Sequence, residues 1–129
     1  MNKPIATMAR TNEILEKYDL YAKKNFGQNF IIEPGIVEKI ARLSKADEHS
    51  AVIEIGPGIG ALTEQLAHVA GQVLAFEIDD RLIDVLADTL SACLNVTVVH
   101  QDFLEADLNA TVSQLKTTWD QVLVCANLP

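Results

Sequence analysis

Val52-Ile-Glu-Ile-Gly-Pro-Gly-Ile-Gly60 decides how the rest of the chain is read. A β-branched run enters a cluster of three glycines, and a helix-like pattern, Ala61-Leu-Thr-Glu-Gln-Leu66, leaves it at once. A near-continuous apolar run suits a parallel strand covered on both faces. Glycine suits a tight turn beside a ligand, because a Cβ would block both the dihedrals and the close approach. Strand, turn and helix together form the first crossover of an α/β sheet, with a small molecule bound where the strand ends. The stretch says where something binds and leaves open what.

Outward from this stretch, strand and helix alternate. Ala51 to Ile55 is strand one, interrupted only by Glu54. Ala61 to Val69 is the crossover helix, with Leu62, Leu66 and Val69 as its buried stripe and Gly71 as a left-handed cap. Val73 to Phe76 is strand two, and Asp79 or Asp80 caps a helix with the stripe Leu82, Ile83, Leu86 and Leu90. Val96 to Val99 is strand three, Gln121 to Cys125 is strand four, and Leu108, Val112 and Leu115 allow a short helix between them. Upstream, Pro34 and Gly35 open a helix to Leu43 with Ile36, Ile40 and Leu43 on one face, widened by Val37. Thr11 or Asn12 caps a short helix through Lys17, with Ile14 and Leu15 inward, while Met1 to Ala9 read as weakly ordered. The fold class expected is α/β, a doubly wound parallel sheet with helices on both faces. The chain stops just past its fourth strand with no helix to follow, which reads as a domain truncated after about that strand.

Composition bounds the function. A chain of 129 residues with 49% hydrophobic content can bury one core. No apolar run is long enough to span a membrane, and the first residues lack the basic head and apolar centre of a signal peptide. Cys93 and Cys125 have no metal-ligand spacing and read as free thiols of a reducing compartment. The net charge of -8 argues against a nucleic-acid groove covering this stretch of chain, and the local positive charge, Lys23 and Lys24, precedes Asn25-Phe-Gly-Gln-Asn-Phe30. His49, His68 and His100 show no ligand spacing, so no metal is expected.

In an open parallel sheet the ligand lies beyond the carboxyl ends of the strands. The polar groups there are Gly56 to Gly60, Glu77, Asp102 and Asn127-Leu-Pro129, and they are expected along one rim. Glu77 follows strand two, where a carboxylate can accept both hydroxyl hydrogens of a ribose. The glycine turn lacks the full G-x-G-x-x-G pattern and has no G-K-S/T, and Pro57 removes a backbone donor. That disfavours a pyrophosphate and suits a nucleoside with an amino-acid tail. Asp102 can accept from the exocyclic amine of an adenine, with Phe103 packing on the base. Glu54 is a charge in a buried run and needs a partner, either backbone donors of the loop or a ligand ammonium reached through water. Asn127 offers an amide oxygen, and Pro129 forces Leu128 extended, so that its carbonyl points outward. Two such acceptors can hold an exocyclic amine facing an electrophilic methyl group, with catalysis by positioning and dipoles.

The matching pieces Lys24-Asn-Phe-Gly-Gln-Asn-Phe30, Glu54-Ile-Gly-Pro-Gly-Ile-Gly-Ala-Leu-Thr63, Phe76-Glu-Ile-Asp79, Asn95-Val96, Gln101-Asp102-Phe103 and Asn127-Leu-Pro129 occur in one order over residues 24 to 129. Together they resemble the amino-terminal half of a ribosomal RNA adenine dimethyltransferase of the small-subunit type. The resemblance implies a Rossmann-like S-adenosylmethionine domain, with a smaller helical domain beyond it. It implies transfer of two methyl groups to N6 of each of two adjacent adenosines in small-subunit RNA. Residues 1–23 are then an extension with a short helix, and 24–129 the N-terminal part of the methyltransferase domain.

By residue, the resemblance implies that Asn29 and Ile31 close over the cofactor and Gly56 approaches its methionine part. Glu77 takes the ribose, Asp102 the adenine, and Asn127 with Leu128 and Pro129 orients the target amine. The target adenine must leave its stack. The implied partners are small-subunit ribosomal RNA and the immature small ribosomal subunit, with a monomeric, cytoplasmic protein that needs neither membrane nor metal. Two departures stand out: the aromatic that the family places after Asn-Leu-Pro is beyond the last residue, and Ile31-Ile-Glu33 differs from the common Leu-x-Asp form. A chain so cut is expected to keep part of the cofactor site without useful methyl transfer. The nearest alternative is the large-subunit enzyme of the antibiotic-resistance type, against which Gly27, Pro57 and Leu128 argue. Further off stand an adenine methyltransferase acting on DNA and a nucleotide-binding scaffold without catalysis.

Overall fold

The computed structural model describes residues 4–20 and 34–126. Among the described residues, α1 (Met8–Lys17) and α2 (Pro34–Leu43) precede an alternation of strand and helix: β1 (Ser50–Ile55), α3 (Ala61–Val69), β2 (Gln72–Glu77), α4 (Asp80–Thr89), β3 (Val96–His100), α5 (Leu108–Lys116) and β4 (Gln121–Ala126). The strands form one sheet in the order β3-β2-β1-β4, and every neighbouring pair is parallel. The chain steps outward from β1 to β3, then crosses back to lay β4 on the other side of β1. This reversal is the topological switch point, and it opens a crevice at the carboxyl end of β1.

The pleat sorts side chains between two cores of unequal depth. Val52, Val73, Val96, Val98, Leu123 and Cys125 turn to a layer built by α1 to α4, where Ile14, Val37, Leu66, Val85 and Leu86 are buried. Ala51, Ile53, Leu74, Phe76, Val99 and Val122 turn to the other face, which α5 covers through Val112 and Leu115, helped by Phe103 and Trp119. Val124 on that second face is 53% exposed. The expected parallel sheet with helices on both faces is thus present, with one face covered far more deeply.

Four local readings change. The N-terminal segment is ordered from residue 4: Ile5 and Ala6 are buried, Thr7 caps α1 by accepting from the Arg10 N–H, and the Thr11 hydroxyl donates to the Ile5 carbonyl at 2.7 Å. α1 therefore starts before Thr11, and the Tyr18 hydroxyl and Lys17 ammonium both reach Asp88 of α4. On α2 the inward line is Val37 and Ala41, while Ile36 and Leu43 are exposed. A short i, i+4 pair of small side chains wins there over the larger residues. On α4 Val85 is fully buried and Ile83 only partly so.

Gly71 is not a left-handed cap. Ala70 ends α3 in an extended conformation, and among the described residues the glycines with positive φ are Gly56, Gly58 and Gly60. Gly71 is required by space: a Cβ would overlap the ring edge of Trp119 and stand 2.7 Å from the Glu48 carbonyl oxygen.

Candidate functional site

The site starts from the glycine turn. Gly56, Gly58 and Gly60 have φ of 69°, 61° and 96°, conformations that L side chains resist. The Gly60 N–H bonds back to the Pro57 carbonyl at 2.9 Å, closing the turn directly onto α3. No side chain caps α3, so the first N–H groups of the helix are left to the turn. The left-handed residues let the backbone fold tightly, and the space a Cβ would take at Gly56 is open.

Glu77 is the last residue of β2 and not a residue beyond it. It is only 5% exposed. Its Oε1 accepts from the Gly58 N–H at 3.3 Å and its Oε2 from the Asp79 N–H at 3.0 Å. These two bonds fasten the glycine turn to the end of β2. They use two of the roughly four acceptor positions of a carboxylate, so a diol can still be received. Asp102 follows β3 and caps a single 3-10 turn, Phe103–Glu105, through a 2.9 Å bond from the Leu104 N–H to Oδ1. This cap leaves the second oxygen available.

An open groove of about 440 Å³ joins these strand ends. Gly56, Glu77 and Asp102 line it together with Phe76, Ile78, Phe103, Leu104 and Ala126. Gly56, Glu77 and Asp102, named from the sequence, therefore share one space. Phe103 does not lie free for a base: its ring packs edge-on against Phe76 at 5.6 Å between centroids. The apolar walls that sequence reasoning missed are Ile78, 65% exposed, and Leu104, 88% exposed. The available signal was position, since each follows a rim carboxylate by one or two residues. Ala126 stands opposite Ile55 across β1 and β4. Asn29, Ile31, Asn127, Leu128 and Pro129 lie outside the described residues.

Glu54 has a different partner from either expected. The Thr63 hydroxyl of α3 donates to its Oε1 at 2.5 Å, and Oε2 is buried with no partner among the described residues. Burial pushes its carboxyl up to about 7, the Glu77 carboxylate adds to the rise, and the Thr63 bond opposes it. Cys125, its register partner on β4, is raised by burial and by Glu54. Both cysteines are free thiols. His100 joins the end of β3 to the β2–α4 turn, with Nε2 at 2.7 Å from Asp80 Oδ1, and His68 is exposed. A second groove, about 760 Å³, lies between α3, the α4–β3 loop and the N-terminal segment, and contains none of the strand-end carboxylates. Among the described residues no cluster of His, Cys, Asp or Glu is placed to hold a metal, and no helix is long and apolar enough to cross a membrane.

Sheet order, the glycine turn and the rim carboxylates define the class, a nucleoside-binding domain of the Rossmann-like methyltransferase type. Solved structures agree. A dimethyladenosine transferase from Plasmodium falciparum matches 75% of this chain and 32% of its own, at 28% identity and a TM-score of 0.59. The 23S rRNA methyltransferase ErmE matches 70% of this chain and 43% of its own, at 28% identity and a TM-score of 0.56. At the sequence level, the ribosomal RNA small subunit methyltransferase A of Enterococcus faecalis is 58% identical over 98% of this chain. The chain spans 43% of the length of that relative. The family model for ribosomal RNA adenine dimethylase matches residues 20–129, and the chain belongs to that family.

Proposed function

We propose that this chain supplies the S-adenosylmethionine site of an enzyme that dimethylates N6 of two adjacent adenosines in small-subunit ribosomal RNA during subunit maturation. The observation that carries this reading is the convergence of Gly56, Glu77 and Asp102 on one groove, in a chain of the ribosomal RNA adenine dimethylase family. The donor set fits the cofactor. Glu77 has acceptor capacity for the ribose hydroxyls, Asp102 for an adenine amine, and Ile78 and Leu104 offer apolar sides to a flat base. Gly56, with no Cβ and open space where one would stand, leaves room for the amino-acid tail.

Bound S-adenosylmethionine supplies a methyl group made electrophilic by its sulfonium sulfur. Everything else is positioning by the chain. Glu77 and Asp102 would fix the nucleoside, Gly56 would admit the methionine part, and Asn29 and Ile31 would cover it. Asn127, which would also border the cofactor, and the Leu128 carbonyl would accept the two hydrogens of the target amine, since a proline at 129 favours an extended residue before it. Holding reactants in line in this way can supply most of the rate enhancement. Residues 24–129 form the N-terminal part of the methyltransferase domain. Residues 1–23 extend it, with α1 tied to α4 through Asp88. The partners are small-subunit RNA and its immature particle.

The test is methylation of immature small-subunit particles by the intact protein, with the modified bases mapped. Two adjacent dimethyladenosines are expected. Methylation confined to large-subunit RNA, or none, would overturn the reading. Calorimetry with S-adenosylmethionine and with NAD checks the cofactor separately, with binding expected for the first alone.

A further inference from the structure

The least explained group in the molecule is Glu54. It sits one residue before the carboxyl end of β1, an inner strand, facing the deep helical layer, and is 0% exposed. An ionised carboxylate in that position needs compensation, and an isolated one is strongly disfavoured. The flanking groups offer little. Ala75 of β2 and Cys125 of β4 stand beside it in register. α3 contributes the Thr63 hydroxyl, a single neutral donor. Further along β2, Glu77 is a like charge. Among the described residues no cation acts on it and none pairs with Oε2.

Placement gives this a function. Glu54 is two residues before Gly56, and Thr63 lies in the first turn of α3, so their bond spans the two ends of the glycine turn. The carboxyl group is thus part of the support of the turn on which the ligand rests. A neutral carboxyl suits the empty site. A bound nucleoside with net positive charge changes the balance, because an opposite charge nearby favours the ionised form. S-adenosylmethionine is such a ligand, with a sulfonium and an ammonium set against one carboxylate.

We propose that Glu54 is a proton-linked positioning residue of this site, neutral while the site is empty and ionised when a cationic nucleoside occupies it. The proton leaves to solvent, and the negative charge left beneath the glycine turn holds the ligand. The inference rests on the cofactor reading above. Its consequence is linkage: whatever ligand expels the proton binds more tightly as pH rises, until the free site is itself ionised.

The experiment is calorimetric titration of the intact protein with S-adenosylmethionine between about pH 5.5 and 8.5, in buffers of differing ionisation enthalpy. Affinity should rise by up to roughly tenfold per pH unit below about pH 7 and level off above it, with net proton release on binding. Glu54→Gln should bind more weakly above about pH 7 and lose both the slope and the proton release. His100→Asn, which removes the imidazole near the rim, should keep both. A flat profile with no proton exchange in the unaltered protein would overturn the proposal. So would a slope that survives in Glu54→Gln or vanishes in His100→Asn.

Binding at no pH would instead sink the cofactor reading. The empty-site half is then decided by a carboxyl-carbon NMR titration of the unliganded protein. One glutamate titrating near 7 and missing from Glu54→Gln supports it, and titration of all carboxyls in their usual range overturns it.

Discussion

The two ends of the sheet are built from the same strands and differ in almost every other respect. At the amino ends, polar groups are paired off. The Gly71 N–H meets the Ser50 carbonyl at 2.9 Å, the Asp120 N–H meets that of His49 at 3.0 Å, and the Asn95 side chain donates to the carbonyls of Ala67 and Ala70. The Trp119 indole lies over Gly71 and donates to Gln72 at 2.8 Å. At the carboxyl ends the chain is held open by left-handed glycines, Glu54 has an unpaired oxygen, and Ile78 and Leu104 stand in solvent. One end is closed by packing, the other kept unfinished by groups that a ligand would complete. Glycine serves both, for opposite reasons.

The largest effect should come from the closed end. In Gly71→Ala the new methyl group has no room, since the obstacles are an aromatic ring and a backbone carbonyl. Either Trp119 leaves its seat or β2 shifts against the β1 turn. Overpacking of this kind costs about 3 kcal/mol or more. Denaturant unfolding should show that loss, with the fluorescence of Trp119, the sole tryptophan, moving toward its solvent-exposed value. A loss below about 1 kcal/mol would mean that the amino end is not closed by packing.

The sequence was informative where a pattern was local. The strand, glycine turn and helix from Ser50 to Val69 agree with the apolar run and its punctuation, and Asp79 caps α4 as a short polar residue before a periodic stripe should. Gly71 was legible as special but not why, because Trp119 is far away in sequence and only the crossover to β4 brings it overhead. The inward face of α2 was misjudged because size alone does not say which side meets α3. Ile5 and Ala6 had no periodicity to reveal them, and their burial depends on long-range bonds such as that from the Ile5 N–H to Glu64. At the rim, Gly56, Glu77 and Asp102 were readable because strand ends in a parallel sheet fall on one edge. The missing partner of Glu54 was readable only as a need.

That need gives the second prediction, this time at the open end. Folding favours the neutral form of Glu54, so its stabilising contribution is complete below the usual carboxylate value. It is lost as pH rises through about 7. Glu54→Gln keeps the shape and never ionises. At about pH 8 it should be more stable than the unaltered protein by on the order of 2–3 kcal/mol, and at about pH 5 nearly equal to it. Thermal unfolding of the unliganded protein at the two pH values measures this. Equal stability at both would show that the carboxylate has compensation that the empty site does not display.

Gly56→Ala should cost less than either, because nothing stands within 4 Å of the added Cβ. The penalty is that of an L residue at a φ of 69°, about 1–2 kcal/mol. Yet the methyl would project where the ligand is expected, so affinity for S-adenosylmethionine should fall by more than about tenfold while the fold persists. Unchanged affinity would remove Gly56 from the ligand floor.

Trp119→Phe should have the smallest effect, and it tests whether the two ends are separable. The substitution keeps an aromatic ring above Gly71 and removes the indole N–H that serves Gln72. Gln72 is only half-buried, so water can take over as donor, and the net loss is about 1 kcal/mol. Circular dichroism should register that loss, since the fluorescent probe is gone. Ligand affinity should stay unchanged, because β2 lies between this bond and Glu77 with its register intact. Loss of affinity here would mean that the closed end positions the open one, and that Glu77 owes its place to packing at the far end of its strand.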